Sequence, residues 1–350
     1  MVESILLVTA ADPYAESGGG IETHLQEMIS RLSDDYEVHL LTHEISNTDD
    51  VVPHTFTNYP VRGLDTISYS IKMTMAALQV LRKEDIDLVW TTDIFPSTIS
   101  AGFPSKLFSA PVLLSQHNIL DETRGAGVLR DAINYAGFKL SDSVHVVGKH
   151  IEQEIQNLNL GVETHFIPNG INLEKFEQKS DYSRSQNLEL ICISHYRPPQ
   201  KRQDILVEAV KDLEGVKLTL VGSNLEELDA QYENIEVAGL VPQEEIVPRL
   251  QSSDIFVLPS AYEGHPIAVI EAMSVGLPII GAKIPSLEGV VDEENGKKVE
   301  LDADRLQKAI EKAKSWDLEK KGNKSRQKAE EYSWDKIYSR FKRLLEENYL

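Results

Sequence analysis

The chain has 350 residues, of which 35 are Lys or Arg and 56 are Asp or Glu, so its formal net charge is −21 at pH 7. The length predicts two domains, because one domain usually takes about 100–200 residues. The acidic balance argues against nucleic acid as a partner, since a phosphate backbone would be repelled. The single cysteine, Cys192, excludes an internal disulfide. No apolar run approaches the roughly 20 residues of a membrane span, and no signal peptide is recognised, so we expect a cytoplasmic protein.

The first half of the chain alternates short apolar runs with helical patterns. A glycine-rich turn at residues 17–20 precedes apolar residues at helical spacing, and an amphipathic helix is predicted for residues 71–82. The runs predicted to be buried strands are residues 4–10, 37–41, 87–90, 111–115, 143–147 and 164–167. This order of strands and helices is typical of a parallel sheet that is covered on both faces.

The alternation stops at residues 172–187, a polar segment that we interpret as an inter-domain linker. It then resumes with further apolar runs and helical patterns. Strands are predicted for residues 188–194, 216–221, 235–238, 255–258 and 278–281, and helices for residues 267–275, 303–314, 320–332 and the segment after Trp334. The sequence therefore predicts two doubly wound α/β domains that face a cleft, with ligands beyond the carboxyl ends of the strands.

The glycine-rich turn Ser17-Gly18-Gly19-Gly20 lies between the first strand and the first helix. Glycine lets backbone N–H groups approach an anion, and the N-terminus of the helix adds positive potential. The spacing is not G-x-G-x-x-G, and the loop before it is too long for a dinucleotide turn, which argues against NAD. The alternative is a surface loop without a ligand.

Three cations follow the strand predicted at residues 188–194. Arg197, Lys201 and Arg202 stand on a loop that contains two prolines, in a chain whose overall charge is strongly negative. Arginine and lysine at the end of a strand can neutralise a pyrophosphate. The alternative is ordinary solvated charge ahead of a helix.

Two glutamates mark the next motif. Glu263 lies in the loop after the strand at residues 255–258, Glu271 lies in the following helix, and Gly264 leaves backbone N–H groups open near the start of that helix. Such a segment presents carboxylates to hydroxyl groups and N–H donors to a phosphate. Two glutamates eight residues apart are common on solvated helices, so their spacing alone predicts little.

The residues around these glutamates carry a resemblance to a known family. The pattern E-G-x-P-x-x-x-x-E-A-M-x-x-G-x-P, from Glu263 to Pro278, resembles the signature of retaining GT-B glycosyltransferases, particularly glycosyltransferase family 4. The turn before Glu22, the strand-end triplet around His117, residues 167–172 and the last helix also resemble family segments. The resemblance implies a GT-B architecture: an acceptor-side domain at residues 1–171, a linker at 172–187, a nucleotide-sugar domain at 188–332, and a last helix at 333–350 that returns to the first domain.

The resemblance also implies roles for individual residues. Glu271 would bind the ribose hydroxyls of a nucleotide sugar, and Glu263 would face the hexose. Arg197 and Lys201 would hold the diphosphate and stabilise the leaving group, and His117 would line the reaction centre, so the catalytic candidates are Glu263, His117, Arg197 and Lys201. The other binding candidates are Gly264, His265, Pro266, Ile267 and Ala268 for sugar and phosphate, Gly19 and Gly20 for phosphate or acceptor, Leu240 for the base, and Arg202 as a further cation.

Two departures from the family pattern leave alternatives. The Arg and Lys usually lie one residue further apart than Arg197 and Lys201 do, so Tyr196 is the alternative match to the usual Arg. The loop at residues 283–288 lacks the usual Gly-Gly before Glu288, which leaves donor-sugar contacts there open. His117 has a structural alternative, namely a buried histidine that is bonded to backbone.

The expected activity is the transfer, with retention, of a hexosyl unit from a nucleotide sugar to a hydroxyl acceptor. By similarity we expect UDP as the carrier, with GDP and ADP as alternatives, and the acceptor as a glycan, a lipid carrier or a small molecule. No spacing of His, Asp or Cys is typical of a metal site, so we expect no metal and no cofactor. A nucleotide-sugar epimerase and a non-catalytic partner of the same fold are the alternative functions. We expect at most peripheral contact with a membrane.

Overall fold

The chain folds into two units, each built on a parallel sheet. The computed structural model describes residues 3–14, 20–45, 50–57, 65–117, 119, 128–228 and 230–349. The first unit comprises Met1–Asn169 and Trp334–Leu350, and the second comprises Gly170–Ser333. Within the described residues, each sheet pairs its strands in parallel throughout.

The first unit alternates strands and helices. Its described strands are β1 Ser4–Val8, β2 Glu37–Thr42, β3 Val52–Thr55, β4 Leu88–Thr91, β5 Val112–Gln116, β6 Ser143–Val146 and β7 Glu163–Phe166. Its described helices are α1 Gly20–Leu32, α2 Asp65–Lys83, α3 Ile99–Phe108, α4 Val128–Leu140, α5 Lys149–Asn157 and α11 Trp334–Tyr349. The strands lie in the order β3-β2-β1-β4-β5-β6-β7, which places β1 and β4 beside each other in the middle of the sheet.

The core of the first unit follows from the apolar runs. All five residues of β1 are buried, and Leu7 pairs with Leu40 on one side and with Trp90 on the other. Helix α1 buries four apolar residues, the last three of which lie three, four and seven positions after the first. This spacing places their side chains on one face of the helix. These residues are Leu25, Met28, Ile29 and Leu32. A central strand that is covered on both faces buries the side chains of both faces, which explains the apolar run from Ile5 to Val8.

Helix α11 completes this core. It buries Trp334, Ile337, Phe341, Leu344 and Leu345 in the same cluster as Ile5, Leu7 and the apolar face of α1. On the surface, Tyr338 Oη donates to one carboxylate oxygen of Asp35 at 2.5 Å and Lys342 Nζ donates to the other at 2.6 Å. These two donors lower the pKa of Asp35. The last helix is therefore a structural part of the first unit.

The second unit repeats the same plan with six described strands. They are β8 Leu188–Ile193, β9 Val216–Val221, β10 Ile235–Gly239, β11 Ile255–Leu258, β12 Ile279–Ala282 and β13 Gly296–Val299. Its described helices are α6 Gln203–Val210, α7 Gln243–Gln251, α8 Ile267–Ser274, α9 Ala303–Ala313 and α10 Leu318–Ala329. The strand order is β10-β9-β8-β11-β12-β13. The prediction of two doubly wound α/β domains is confirmed.

Residues 172–187, which we predicted to be a linker, lie within the second unit. Phe176 is buried among residues of α8 and β12, and the N–H of Lys179 donates to the carbonyl of Val275 at 3.1 Å. Tyr182 approaches Gly276 so closely that a Cβ on that glycine would lie 2.2 Å from the phenol oxygen. Gly276 also has φ of +81°, so the glycine of the family motif fits a position that other residues would strain.

Candidate functional site

The loops that follow β8 and β11 meet at the same edge of the second sheet. The two strands are neighbours, with Leu190 paired to Ile255. Beyond the strands, Lys201 and Ser260 form an isolated antiparallel bridge, and the N–H of Ala261 donates to the carbonyl of Gln200 at 2.8 Å. Because the loops are tied by backbone contacts, their side chains have fixed positions relative to each other.

Lys201 and Glu263 form an ion pair across these loops, between Nζ and Oε1. The side chains are 20% and 9% exposed, so the pair is largely shielded from water. A shielded carboxylate is costly without a partner, and the lysine offsets that cost. The structure thus brings together two of the predicted catalytic residues, which are 62 positions apart in the sequence.

The three cations of the cluster have different environments. Arg202 binds Asp204 with Nε and Nη2, at 2.9 and 2.8 Å. Arg197 is exposed and makes no ion pair or side-chain hydrogen bond with any residue that the structure describes. Tyr196 packs against the core of the second unit. Of the two alternative matches to the family's arginine, Arg197 is therefore the more exposed.

Two residues to which we assigned no role from the sequence hold the loop after β8. The Gln203 side chain is fully buried, and its amide nitrogen donates to Ser194 Oγ at 2.6 Å and to the Ser194 carbonyl at 3.1 Å. Gly222, at the end of β9, has φ of +146°, and a Cβ there would lie 2.1 Å from the Ser194 carbonyl oxygen. The glycine directly after an apolar strand is a signal that could have indicated this close approach.

The loop between β11 and α8 carries the family motif. Gly264, His265, Ile267 and Ala268 are partly exposed, and Pro266 is buried at the N-cap of α8. The first N–H groups of a helix have no partner within the helix, so this end can donate to an anion. The ring of His265 lies 5.5 Å from that of Tyr332, between centroids.

Glu271 lies in α8, between the buried residues Ile270 and Ala272. Burial raises the pKa of this carboxyl group from 4.5 to about 7, and the charge of Lys175 only partly opposes the effect. A carboxyl group with such a pKa is a functional-site candidate, because the protein holds it in an environment that its ionised form disfavours.

The remaining candidates of the second unit lie at two other strand ends. Leu240 follows β10 and is 70% exposed, so its side chain packs little within its own unit. The loop at residues 283–288 forms a short 3₁₀ turn over Pro285–Leu287, and Glu288 pairs with Lys298 at 2.7 Å. No residue in the described part of the chain belongs to a group of three or more His, Cys, Asp or Glu placed to hold a metal ion.

His117 lies at the end of β5 in the first unit, where it is buried. Its ring is 4.8 Å from that of His24 in α1, in a T-shaped arrangement, and 6.2 Å from that of His145 in β6. His24, to which we assigned no role from the sequence, is thus a direct neighbour of His117. Gly20 is the first residue of α1, whereas Gly19 lies outside the described residues.

His145 ends a buried chain of hydrogen bonds behind His117. Its Nε2 lies 2.8 Å from the carbonyl of Ile167, which can only accept, so Nε2 carries the proton. Its Nδ1 then accepts from Ser115 Oγ at 2.8 Å, and Ser115 accepts from Trp90 Nε1 at 2.7 Å. Burial lowers the pKa of His145 to about 4, so the ring is neutral at pH 7.

This depressed pKa predicts an acid-sensitive first unit. Unfolding lets His145 bind a proton at its ordinary pKa of 6.5, so its contribution to stability is complete above that pH and is lost as the pH falls toward 4. We expect His145→Gln to have a lower melting temperature than the parent at pH 7 and a smaller deficit at pH 4.5. Thermal melts across this range measure the effect, with the exposed His43→Gln as control. A deficit that stays constant with pH would contradict the prediction.

The fold and the strand-end site together define a class of protein. Two parallel Rossmann-like sheets, with a cation and two glutamates at the carboxyl ends of the second, are the pattern of GT-B glycosyltransferases. Residues 18–175 match the family described as Glycosyltransferase Family 4, and residues 187–314 match Glycosyl transferases group 1. The chain belongs to this glycosyltransferase family, which confirms the resemblance seen in the sequence.

Relatives match over the whole chain. An uncharacterized glycosyltransferase of Methanocaldococcus jannaschii is 26% identical over 366 aligned positions, covering 99% of each protein. Sucrose-phosphate synthase from Thermosynechococcus elongatus superposes with a TM-score of 0.83 at 20% identity, over 99% of this chain and 98% of the other. HepE of Anabaena, solved with UDP and glucose, superposes with a TM-score of 0.79 at 16% identity, over 99% and 100%. At these identities the two structures establish the GT-B fold.

None of the helices within the described ranges is long and apolar enough to cross a bilayer.

Proposed function

We propose that the protein is a retaining hexosyltransferase that uses a nucleotide sugar, with UDP as the carrier, and a hydroxyl acceptor. The observation that carries the proposal is the shielded Lys201–Glu263 pair at the carboxyl ends of neighbouring strands, next to the N-terminus of α8. Family membership supports transfer of a glycosyl group. The choice of UDP is supported by the structure of HepE, which is a complex with UDP and glucose.

In this proposal the second unit binds the donor. Lys201 and the exposed Arg197 would neutralise the diphosphate, together with the first N–H groups of α8. Glu271 would accept hydrogen bonds from the ribose hydroxyls, and Glu263 and the Gly264–Ala268 backbone would contact the hexose. Leu240 would pack against the base. Arg202 would contribute less to neutralising the diphosphate, because Asp204 already binds its guanidinium.

The proposed reaction breaks the bond between the anomeric carbon and the donor phosphate oxygen. The bond electrons go to that oxygen, where Lys201 and Arg197 stabilise the developing charge. The acceptor hydroxyl oxygen bonds to the same face of the anomeric carbon, and its proton passes to the leaving phosphate. In the first unit, His117 would orient the acceptor hydroxyl or a sugar hydroxyl, with His24 and His145 fixing the position of its ring.

Two measurements test this function in sequence. Thermal melts with UDP, GDP and ADP identify the carrier, since a ligand that binds the folded state raises the melting temperature. Incubation of UDP-sugars with a panel of hydroxyl acceptors then follows, with Glu271→Ala as control and the anomeric configuration of the product read by NMR. An inverted product would reject retention. A changed donor sugar formed without any acceptor would identify an epimerase, and stabilisation by none of the three diphosphates would reject the proposal.

The proposal includes independence from metal ions, because cationic side chains would take the charge of the diphosphate. We expect activity in excess EDTA to equal that in the presence of Mg²⁺ within about twofold, a barrier difference below about 0.5 kcal/mol. Initial rates with and without the chelator, after dialysis of the protein against EDTA, measure this. Loss of activity that Mg²⁺ or Mn²⁺ restores would contradict it.

A further inference from the structure

A second candidate binding site lies at the far edge of the sheet in the second unit. A cavity of about 660 Å³ is formed by β13, helix α9, the end of β12 and Trp316. Sites for small organic molecules usually have volumes of about 300–1,000 Å³. The cavity is therefore large enough for a ligand, and nothing in the proposed transfer reaction uses it.

The lining of this cavity carries a positive formal charge, whereas the protein as a whole is negatively charged. The chain as a whole has a net charge of −21, but the cavity is lined by twice as many basic as acidic side chains. The basic ones are Lys283, Lys297, Lys298, Arg305, Lys308 and Lys312, and the acidic ones are Asp292, Glu293 and Glu300. Six cations against three carboxylates leave a local formal charge of +3.

The acidic side chains already have cationic partners. Lys328, which is not part of the lining, pairs with Asp292 at 2.6 Å, Lys297 pairs with Glu293, and Lys283 pairs with Glu300 at 3.3 Å. Two of the remaining lining cations are also paired, since Glu288 pairs with Lys298 at 2.7 Å and Asp302 pairs with Arg305 at 3.0 Å.

Lys308 and Lys312 carry the uncompensated charge. They lie one turn apart on α9, so their side chains project from the same face of the helix. Neither makes an ion pair with any residue in the described ranges. Two neighbouring ammonium groups without carboxylate partners form a favourable place for an anion with more than one charge.

The cavity also has apolar lining residues. They are Val291, Val299, Ala309 and the partly exposed indole of Trp316. Lys321 Nζ lies 4.7 Å from the centroid of the Trp316 ring, which adds a cation beside this indole. The lining thus combines cationic groups with apolar and aromatic surface, and a ligand that fits both must carry negative charge and an apolar part.

The cavity is distinct from the strand-end site. In the sheet, β13 is the edge strand and lies two positions from β11, whose following loop carries Glu263. Two strand spacings correspond to about 10 Å. Among the described residues that line the cavity, Lys283, the first residue of the loop at residues 283–288, is the one that belongs to a candidate segment of the nucleotide-sugar site.

We propose that this cavity is a second ligand site of the second unit, which binds a small organic anion with several negative charges and a flat apolar part. The charges would be held by Lys308 and Lys312, and the flat part would lie against Trp316 and the neighbouring apolar side chains. The occupant is a molecule other than the transfer donor, and its binding does not require the nucleotide-sugar site.

The test uses a probe that has this chemistry, the fluorescent dye 8-hydroxypyrene-1,3,6-trisulfonate, whose fluorescence anisotropy reports binding to the full chain. We expect saturable binding that saturating UDP does not displace. The Lys308→Gln/Lys312→Gln variant should raise the Kd about tenfold or more, since it removes two charges close to the ligand. Lys211→Gln/Lys217→Gln removes two lysines of the same unit that do not line the cavity and should leave the Kd unchanged.

Tryptophan emission gives an independent readout of the place of binding. Trp90 and Trp334 are buried, whereas Trp316 is partly exposed, so quenching by the dye should be lost in Trp316→Phe while the anisotropy signal remains. The proposal is overturned if the dye shows no saturable binding below about 1 mM, a standard free energy near −4 kcal/mol. Complete displacement by UDP, or equal Kd values for the two double variants, would overturn it as well. None of these outcomes depends on the transfer activity.

Discussion

Lys201→Met is expected to lower kcat/KM for glycosyl transfer about 10²–10³-fold, the usual effect of removing one group that stabilises developing negative charge. The same change is expected to lower the free energy of unfolding by about 2 kcal/mol, because Glu263 loses an ion partner in a shielded place. Steady-state kinetics and chemical denaturation of the same protein samples measure the two effects.

A double variant separates the two roles of this lysine. Lys201→Met/Glu263→Gln has no buried charge to compensate, so its stability should return close to that of the parent while its activity stays low. Arg202→Met is the matched control, since its partner Asp204 is 38% exposed and the loss of that ion pair should cost less than about 1 kcal/mol. Activity of Lys201→Met equal to that of the parent would remove the lysine from the proposed mechanism.

Glu271→Gln is expected to make the protein more stable and to make it bind nucleotide more weakly. The folded state holds the carboxyl proton up to a pH of about 7, whereas the unfolded chain releases it near 4.5. The folded parent therefore loses stability as the pH rises from 4.5 through 7, and the variant does not. The melting temperature of the variant should exceed that of the parent by an amount that increases between pH 5 and pH 8.

The affinity for UDP provides the functional half of this prediction. A glutamine accepts weaker hydrogen bonds from ribose hydroxyls than a carboxylate does, and we expect the Kd to rise about tenfold at pH 8, a change of about 1.4 kcal/mol. The exposed Glu233→Gln serves as control for the change in net charge. If Glu271→Gln is less stable than the parent at pH 8, or binds UDP equally well, the assignment of Glu271 fails.

The sequence predicted the central strands well but missed one edge strand of each sheet. Central strands such as Leu88–Thr91 are buried throughout, so burial on both faces left an unbroken apolar run in the sequence. The edge strands Val52–Thr55 and Gly296–Val299 are partly exposed, and they read as polar segments that we did not predict to be strands. The place of residues 172–187 in the second unit was hard to predict for the same reason. Most of this segment is polar, and a few buried residues such as Phe176 hold it against the core.

The candidate site was predictable as a set of motifs but not as a set of contacts. The glutamates and the cations each stood at a predicted strand end, which required only local reasoning. The pairing of Lys201 with Glu263 depends on β8 and β11 being neighbours, a property of sheet order that single-sequence patterns do not contain. The contact between His24 and His117 likewise joins two elements far apart in the chain.

The place of α11 has a consequence for the order in which the protein is made. Residues 334–349 complete the core of the first unit, yet the ribosome produces them after all of the second unit. Until α11 has been synthesised, the apolar surface of the first unit at Ile5, Leu7 and α1 stays exposed. The second unit can already fold during this time. Chaperone binding during synthesis should therefore concentrate on the earlier half of the protein and end only when the last helix has emerged.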